Sequence, residues 1–386
     1  LEGITKLAPT GVMLMFAILY FALMIDSGLF DPAVRKILKL VKGDPLKVSV
    51  GTAVLALVVS LDGDGATTYM ICVAAMLPLY SRIGMSPRIM AGLIILAGGV
   101  MNMTPWGGPT ARAASALHVD PSDIFVPMIP AMLAGVVAIL AIAYFYGKRE
   151  RARLGELHLA GDEIDHSEIS VSQFPDARRP KLIWFNGALT LVLMCTLIGG
   201  LLPLPVLFMV AFSIAMIVNY PCLQMQKDRV AAHAGSVLAV VGLIFAAGIF
   251  TGILSGTGMV DAMSKSLLAV IPDFLGPYLA VITALVSMPF TFFMSNDAFY
   301  YGVLPVLAEA ASHYGITAVE MARASIVGQP VHLLSPLVPS TYLLVALAGI
   351  DFGDHQRFTL KWAVLVCMCI LVAALLMGIF PLFSTL

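Results

Sequence analysis

Three aspartates stand where short polar segments interrupt otherwise apolar stretches of the chain. Asp62 and Asp64 enclose a single glycine, and Asp297 closes a Ser-Asn-Asp triplet. Grouped carboxylate and amide oxygens are typical ligands of hard cations, and a carboxylate can also hold a proton reversibly. The structural alternative is a helix cap, because Asp and Asn readily accept backbone N–H bonds at helix starts and turns. Two aspartates in one segment and a third in the other favour function, so all three are candidates for binding a metal ion or a proton.

Polar residues of a second kind gather where Pro and Gly interrupt two other apolar stretches, at 102–110 and 329–341. Proline removes a backbone donor and clashes with the preceding turn, so both stretches are predicted to be helices that unwind near their middle. The N-terminus of a half-helix presents unpaired N–H groups and a positive dipole end, which hold carboxylates. A single Ser or Thr more often bonds to its own helix, and only the clustering at four interruptions, the two aspartate segments and these two stretches, raises the hydroxyls above background. The candidates for substrate binding are Thr67, Thr68, Asn102, Thr104, Gly107, Gly108, Thr110, Ser295, Asn296, Gln329, Ser335, Ser340 and Thr341.

Two further ionisable side chains lie at the predicted breaks. Arg112 follows the first break closely, and its guanidinium could hold a substrate carboxylate with two hydrogen bonds. It could equally reach the membrane interface or pair with one of the aspartates. His332 lies within the second break, where an imidazole could relay protons or serve only in packing. Both are possible site residues, and the sequence leaves their roles open.

The composition indicates the class of protein that carries these residues. Of the 386 residues, 60% are hydrophobic and 12% are charged, against roughly 25% charged residues in a soluble domain. Apolar stretches of helical length recur along the chain, and several approach the roughly 20 residues needed to cross a bilayer. The net charge of -1 gives no sign of a nucleic-acid partner. The sequence therefore predicts an all-α protein with many spans in the lipid bilayer.

Self-comparison at an offset of about 230 residues aligns the chain with itself. Phe16 then matches Phe245, and Asp120 matches Asp351. In each half, two apolar arms enclose an aspartate segment, and an arm such as 47–60 or 278–290 is short for a full crossing. Each half is therefore predicted to contain a re-entrant helical hairpin, followed by a broken transmembrane helix whose freed backbone lines a cavity.

The basic residues predict how the two halves are oriented. If each hairpin returns to the side it left, Lys and Arg collect on one face, chiefly at 31–47 and 148–181, whereas 118–123 and 200–204 contain none. Short loops rich in Lys and Arg stay in the cytoplasm. The first hairpin then enters from the cytoplasm and the second from outside, so the repeats are inverted.

This arrangement predicts three divisions of the chain: 1–147 as the first inverted repeat, 148–181 as a cytoplasmic linker and 182–386 as the second inverted repeat. The second repeat begins with two spans that have no partner in the first. By the logic of inverted repeats, roughly 50 residues with two further spans are expected before residue 1.

The motifs named above resemble those of the citrate-metal:proton symporter family, CitMHS. The likeness lies in 61–68, 101–112, Ser295 to Tyr300, Gly328 to Thr341 and 351–356, and it extends over essentially the whole chain. It implies the ion transporter superfamily fold, in which a scaffold domain holds a mobile domain containing both hairpins and both broken helices. It further implies a homodimer in the cytoplasmic membrane that works by an elevator movement.

The activity that this resemblance implies is secondary active transport. Citrate complexed with a divalent ion, of the Mg²⁺ or Ca²⁺ type, would enter together with protons, with the metal as cargo and no prosthetic group. Sodium-coupled relatives carry Ser-Asn-Thr at the hairpin tips, and the aspartates here make sodium coupling less favoured. The alternatives are a carrier of free di- or tricarboxylates and a cation/proton antiporter of the same fold. A membrane enzyme has little support, since the chain lacks a His-Glu-x-x-His or phosphate-loop motif.

Overall fold

The computed structural model describes residues 2–41, 43–63, 65–155, 174–270 and 272–384, and within these ranges the regular structure is helical. The first half contains α1 (Glu2–Asp26), α2 (Asp31–Val41), α3 (Pro45–Val59), α4 (Gly65–Ile83), α5 (Pro87–Met101), α6 (Gly108–Leu117) and α7 (Pro121–Leu154). Two helices follow, α8 (Ile183–Ile198) and α9 (Leu204–Asn219). The second half contains α10 (Leu223–Gly256), α11 (Met259–Val270), α12 (Leu279–Phe293), α13 (Leu304–Ser312), α14 (Ala318–Ser325), α15 (Gln329–His332), α16 (Pro339–Ala348) and α17 (Phe352–Leu376).

Seven helical segments in the described part are long and apolar enough to cross a membrane. They include α1, α4, α7, α10 and α17, together with segments that contain α8 and α12. The prediction of an all-α protein with many spans is therefore confirmed. The apolar helix α3 has 15 residues, which corresponds to about 22 Å and falls short of the ~30 Å hydrocarbon core.

The predicted hairpins are pairs of helices joined by tight polar turns. In the first hairpin α3 packs against α4, and Gly63 in the connecting turn has φ of 77°, a backbone conformation that glycine adopts without a steric penalty. In the second hairpin, α12 packs against a π-helical turn, Ala298–Val303, and then against α13. The depth of the two tips in the bilayer stays a prediction.

Corresponding helices of the two halves pack against each other in opposite directions. The start of α1 packs against the late part of α10, where Gly3 lies against Gly248 and Gly252. The end of α1 packs against the early part of α10, where Asp26 bonds to His233. Between α7 and α17, Gly135 touches Ile370 and Tyr146 accepts a 2.7 Å hydrogen bond from Trp362. Antiparallel packing of equivalent helices supports an inverted repeat, which itself stays a prediction.

The helices between the two halves pack beside α1. The hydroxyls of Tyr20 in α1 and Thr190 in α8 share a hydrogen bond of 2.8 Å. The ring centroids of Phe16 in α1 and Phe212 in α9 lie 5.7 Å apart. Within this group Asn186 and Asn219 exchange buried hydrogen bonds of 2.9 and 2.8 Å. Buried amides that satisfy each other in this way orient α8 and α9 relative to one another.

The region predicted as a cytoplasmic linker is described only at its two ends. Its first residues continue α7 as far as Leu154, and 156–173 lie outside the described residues. Its last residues are attached to the helix bundle. Arg178 forms an ion pair with Asp31, the Arg179 N–H donates to Ser27 O at 2.9 Å, and the Tyr220 hydroxyl donates to Ala177 O at 2.7 Å.

Candidate functional site

A cavity of about 450 Å³ lies where both hairpin tips meet both broken helices. This volume is within the range of ~300–1,000 Å³ found for small-molecule sites. The predicted site residues that line it are Thr68, Asn102, Gly108, Arg112, Ser295, Asn296, Asp297, His332 and Ser340. Residues distant in sequence are thus brought together around one space.

In each half, a Thr hydroxyl near the start of the second half-helix supports the broken backbone. In the first half Thr110 Oγ1 donates to Met103 O at 2.9 Å, and in the second Thr341 Oγ1 donates to Leu333 O at 2.5 Å. Each bond satisfies a carbonyl that lost its helical partner where the helix stops. These two predicted substrate-binding residues therefore stabilise the unwound backbone at the breaks, and neither lines the cavity.

A second matching pair of hydrogen bonds joins each break to the hairpin of its own half. Trp106 Nε1 donates to Leu61 O at 2.9 Å, and Ser335 Oγ donates to Phe292 O at 2.7 Å. Leu61 and Phe292 both lie at the end of a first hairpin arm. The same connection thus occurs in both halves, although the donor is an indole in one and a hydroxyl in the other.

Four helical segments begin at the edge of the cavity. α4 starts at Gly65, α6 at Gly108 and α16 at Pro339, and the helical stretch that leads into α13 starts at Asn296. The N–H groups of a first turn lack intrahelical partners, and the helix dipole places partial positive charge there. Their convergence makes the cavity a favourable environment for an anion with several carboxylates.

The charged groups of the cavity come from opposite halves. Arg112 Nε donates to Asp297 Oδ1 at 2.6 Å, and the two side chains are 21% and 45% exposed. Asp297 makes no capping hydrogen bond to the helix that follows it, so the capping role considered from sequence does not apply to it. Of the three roles considered for Arg112, the structure shows the pair with an aspartate.

Several polar atoms at the cavity are buried without a hydrogen-bond partner among the described residues. The hydroxyls of Ser60 and Thr68 belong to residues only 4% and 1% exposed, and Asn296 Oδ1 is also unpaired. Buried polar groups are normally satisfied, so unpaired ones at a cavity indicate a place for ligand atoms. Ser60 was missing from the sequence-based candidates, although its position two residues before Asp62 was a usable signal.

Two polar side chains connect the breaks of the two halves. Asn102 Nδ2 donates to Gln329 Oε1 at 3.4 Å, and Gln329 Nε2 donates to the Tyr300 hydroxyl at 2.9 Å. Gln329 is fully buried behind the cavity, whereas Asn102 lines it. Gln329 therefore positions Asn102 and the second hairpin.

The remaining candidates lie elsewhere or outside the described residues. Thr104 and Gly107 shape the first break, where Gly107 N–H donates to Thr104 O at 2.8 Å. Asp64 and the side chain of Asp62 lie outside the described part of the chain. Within that part, no group of three or more His, Cys, Asp or Glu side chains is arranged to hold a metal ion.

A second cavity of about 450 Å³ adjoins the first. The two share Gly63, Gly108 and Arg112, and Thr67 lines the second. From Arg112 the second cavity extends between α1 and α10 to Asp26 and His233, whose Oδ2 and Nε2 atoms are 2.7 Å apart. Arg112 is thus reached from both cavities.

Comparison with known proteins places this chain in a recognised family. The family model described as "Citrate transporter" (CitMHS) matches residues 4–328. A citrate transporter of Bacillus subtilis (strain 168) is 62% identical over 98% of this chain and 88% of its own length. A second protein of that organism, named Mg(2+)/citrate complex secondary transporter, is 56% identical over 98% of this chain and 87% of its own length.

Two solved structures share the fold at low sequence identity. The Alcanivorax borkumensis YdaH transporter superposes with a TM-score of 0.59 at 14% identity, covering 99% of this chain and 88% of its own. Neisseria gonorrhoeae MtrF, described as an antimetabolite efflux pump, superposes with a TM-score of 0.62 at 15% identity, covering 96% of this chain and 81% of its own. These two likenesses bear on the fold alone. The family model matches most of this chain, and a curated citrate transporter is 62% identical to it. The chain therefore belongs to the CitMHS citrate transporter family, as a multi-pass protein of the cytoplasmic membrane.

Proposed function

We propose that this member of the family carries citrate as a complex with a divalent metal ion and couples its uptake to protons. The observation that carries the proposal is the Arg112–Asp297 pair, which lies in a cavity where four helical segments begin. A relative that is 56% identical is named for the Mg²⁺/citrate complex, so Mg²⁺ is the first metal to test.

The cavity supports an anionic cargo better than a bare cation. Arg112, the helix N-termini and the unpaired hydroxyls of Ser60 and Thr68 all favour carboxylate oxygens. Citrate carries three carboxylates, and a divalent ion bound to it leaves one net negative charge. Burying that complex costs less than burying the free anion, because burial of unpaired charge is strongly unfavourable. This supports the metal complex over free tricarboxylates and over cation/proton exchange.

Proton coupling would follow from competition for Arg112. While Asp297 is ionised, it occupies the guanidinium at 2.6 Å. A proton on Asp297 weakens that pair and leaves Arg112 free to bind a citrate carboxylate. When the proton leaves on the other side, Asp297 binds Arg112 again and displaces the cargo. Binding of citrate and binding of the proton then favour each other, as a symporter requires.

The second cavity would serve as the path to one side of the membrane. It begins at Arg112 and ends near Asp26, beside the attached end of the predicted linker. With the orientation predicted from the basic residues, that side is the cytoplasm. The homodimer and the elevator movement, both implied by the family resemblance, belong to the same proposal.

The test is uptake of radiolabelled citrate into proteoliposomes. We expect uptake with Mg²⁺ in excess, loss of uptake in chelator, and accumulation above equilibrium when the outside is made acidic. Ca²⁺ and other divalent ions are compared at equal concentration of the complex. Uptake that is undiminished in chelator would favour free citrate as the cargo, and accumulation insensitive to the pH gradient would contradict proton coupling.

A further inference from the structure

We infer that His332 accepts a hydrogen bond from the hydroxyl group of the cargo, so that the site selects a 2-hydroxy tricarboxylate over the same tricarboxylate without the hydroxyl. The inference rests on the proposed function, since it concerns the same cavity. It adds a defined hydrogen bond and a selectivity that neither the family membership nor the relatives' names assign.

The backbone of the second hairpin determines which nitrogen of His332 carries a proton. Nδ1 lies 2.7 Å from Thr291 O, and the residue is 7% exposed. A carbonyl oxygen only accepts, so Nδ1 must be the donor of this bond. In the neutral ring Nε2 is then an acceptor with a free lone pair.

Nε2 is available to an occupant of the cavity. The imidazole is part of the cavity wall, and Nε2 forms no hydrogen bond with any residue that the structure describes. It is also absent from the fully buried unpaired atoms of the described residues, whereas Nε2 of His355 is among them. The ring therefore presents an acceptor to a cavity that holds the Arg112 guanidinium and the Ser60 and Thr68 hydroxyls as donors, with Asn296 Oδ1 and Asp297 as further acceptors.

That acceptor matches one group of the cargo. The carboxylates of citrate accept hydrogen bonds, and its single hydroxyl is the group that donates. When the hydroxyl oxygen also binds the divalent ion, its proton becomes more acidic and the hydroxyl a stronger donor. The surrounding donors, Arg112, Ser60 and Thr68, suit the carboxylates. An analogue without the hydroxyl would leave Nε2 unpaired in a buried site, which a binding site discriminates against.

Two substitutions separate reading of the hydroxyl from a purely structural role. In His332→Asn the amide nitrogen occupies the place of Nδ1 and can still donate to Thr291 O, but no acceptor remains at the place of Nε2. In His332→Gln the amide oxygen can reach the place of Nε2, while the bond to Thr291 O is lost. A residue that only anchors the hairpin should tolerate Asn and fail with Gln.

The assay is competition with labelled citrate uptake by unlabelled citrate or propane-1,2,3-tricarboxylate, each with excess Mg²⁺. We expect His332→Asn to weaken competition by citrate about 10-fold and to leave competition by the analogue unchanged. His332→Gln should retain more of the preference for citrate. For a variant too slow to assay, the shift in melting temperature on adding each compound replaces the uptake measurement.

Three results would overturn the inference. The first is tolerance of Asn together with failure of Gln, which assigns an anchoring role. The second is an equal loss for both compounds in His332→Asn, which places Nε2 on a carboxylate or on the metal. The third is an unchanged preference in both variants. All three leave the proposed function standing, whereas a wild-type protein that takes up no citrate refutes the proposed function first.

Discussion

Arg112 and Asp297 are separated by 185 positions in the chain, yet Nε of one donates to Oδ1 of the other at 2.6 Å. The arginine belongs to α6 behind the first break, and the aspartate to the tip of the second hairpin. The pair therefore joins the two halves across the cavity. Because both side chains are partly exposed, a substrate carboxylate or a proton can compete for either partner.

The first prediction concerns proton coupling. Asp297→Asn resembles the protonated carboxyl, so Arg112 stays available and citrate still binds. We expect exchange of labelled for unlabelled Mg²⁺-citrate to persist, while accumulation driven by an inward proton gradient is lost. Asp62→Asn and Asp64→Asn should lose accumulation as well, if all three aspartates serve metal or proton binding. Accumulation at the wild-type level in all three variants would refute the assignment.

The second prediction concerns the unpaired hydroxyls. Ser60→Ala and Thr68→Val each remove a donor that we expect to bind a citrate carboxylate, at a cost of about 0.5–1.5 kcal/mol, or roughly 2- to 13-fold in apparent affinity. The melting temperature should barely change, because neither hydroxyl bonds to any residue that the structure describes. Thr251→Val is the matched control, since its hydroxyl bonds to Ala247 O within α10 and lines neither cavity. Equal effects of all three substitutions on transport would contradict the prediction.

The third prediction concerns the crossing of the two broken helices. A Cβ on Gly99 would lie 2.5 Å from Cα of Pro330, so Gly99→Ala must separate the helices. Overpacking of this kind costs about 1–3 kcal/mol, and we expect a lower melting temperature together with reduced transport.

Gly242→Ala is the control for that substitution. A Cβ at Gly242 of α10 meets no atom within 4 Å. Alanine is favoured over glycine in a helix by up to about 1 kcal/mol, so this variant should be as stable as the wild type or more so. If both variants melt alike, close packing at Gly99 does not hold the breaks together.

The fourth prediction concerns the bonds that tie each hairpin to its break. Trp106→Phe removes the donor to Leu61 O, and Ser335→Ala removes the donor to Phe292 O. An unpaired carbonyl costs about 1–3 kcal/mol, so each tip should open more often. Hydrogen exchange should accelerate at 60–68 in Trp106→Phe and at 292–298 in Ser335→Ala. Trp184→Phe, at a side chain 90% exposed, is the control. Faster exchange in the wrong hairpin, or in neither, would contradict local support by these bonds.

Composition and local pattern were enough to predict the class of protein and the positions of its polar interruptions. A chain with 60% hydrophobic residues must bury its apolar surface in lipid. Helices satisfy the backbone hydrogen bonds there, because each N–H and C=O pairs within the same segment. The offset between Asp120 and Asp351 also holds in the structure, where both accept a backbone N–H at the start of a helix. These features depend on composition and local pattern, which the chain carries in its linear order.

The partner of each polar side chain, in contrast, depends on how the helices pack. From sequence, Thr110, Thr341 and Ser335 were equal candidates for substrate, but each donates to a backbone carbonyl that the breaks or hairpins expose. Ser60 was not among the candidates, yet its hydroxyl is buried at the cavity and bonds to none of the described residues. The choice of Asp297 for Arg112 likewise required the second hairpin to fold against α6. A hydrogen bond is set by distance and angle, and residues far apart in sequence acquire these only when the helices pack.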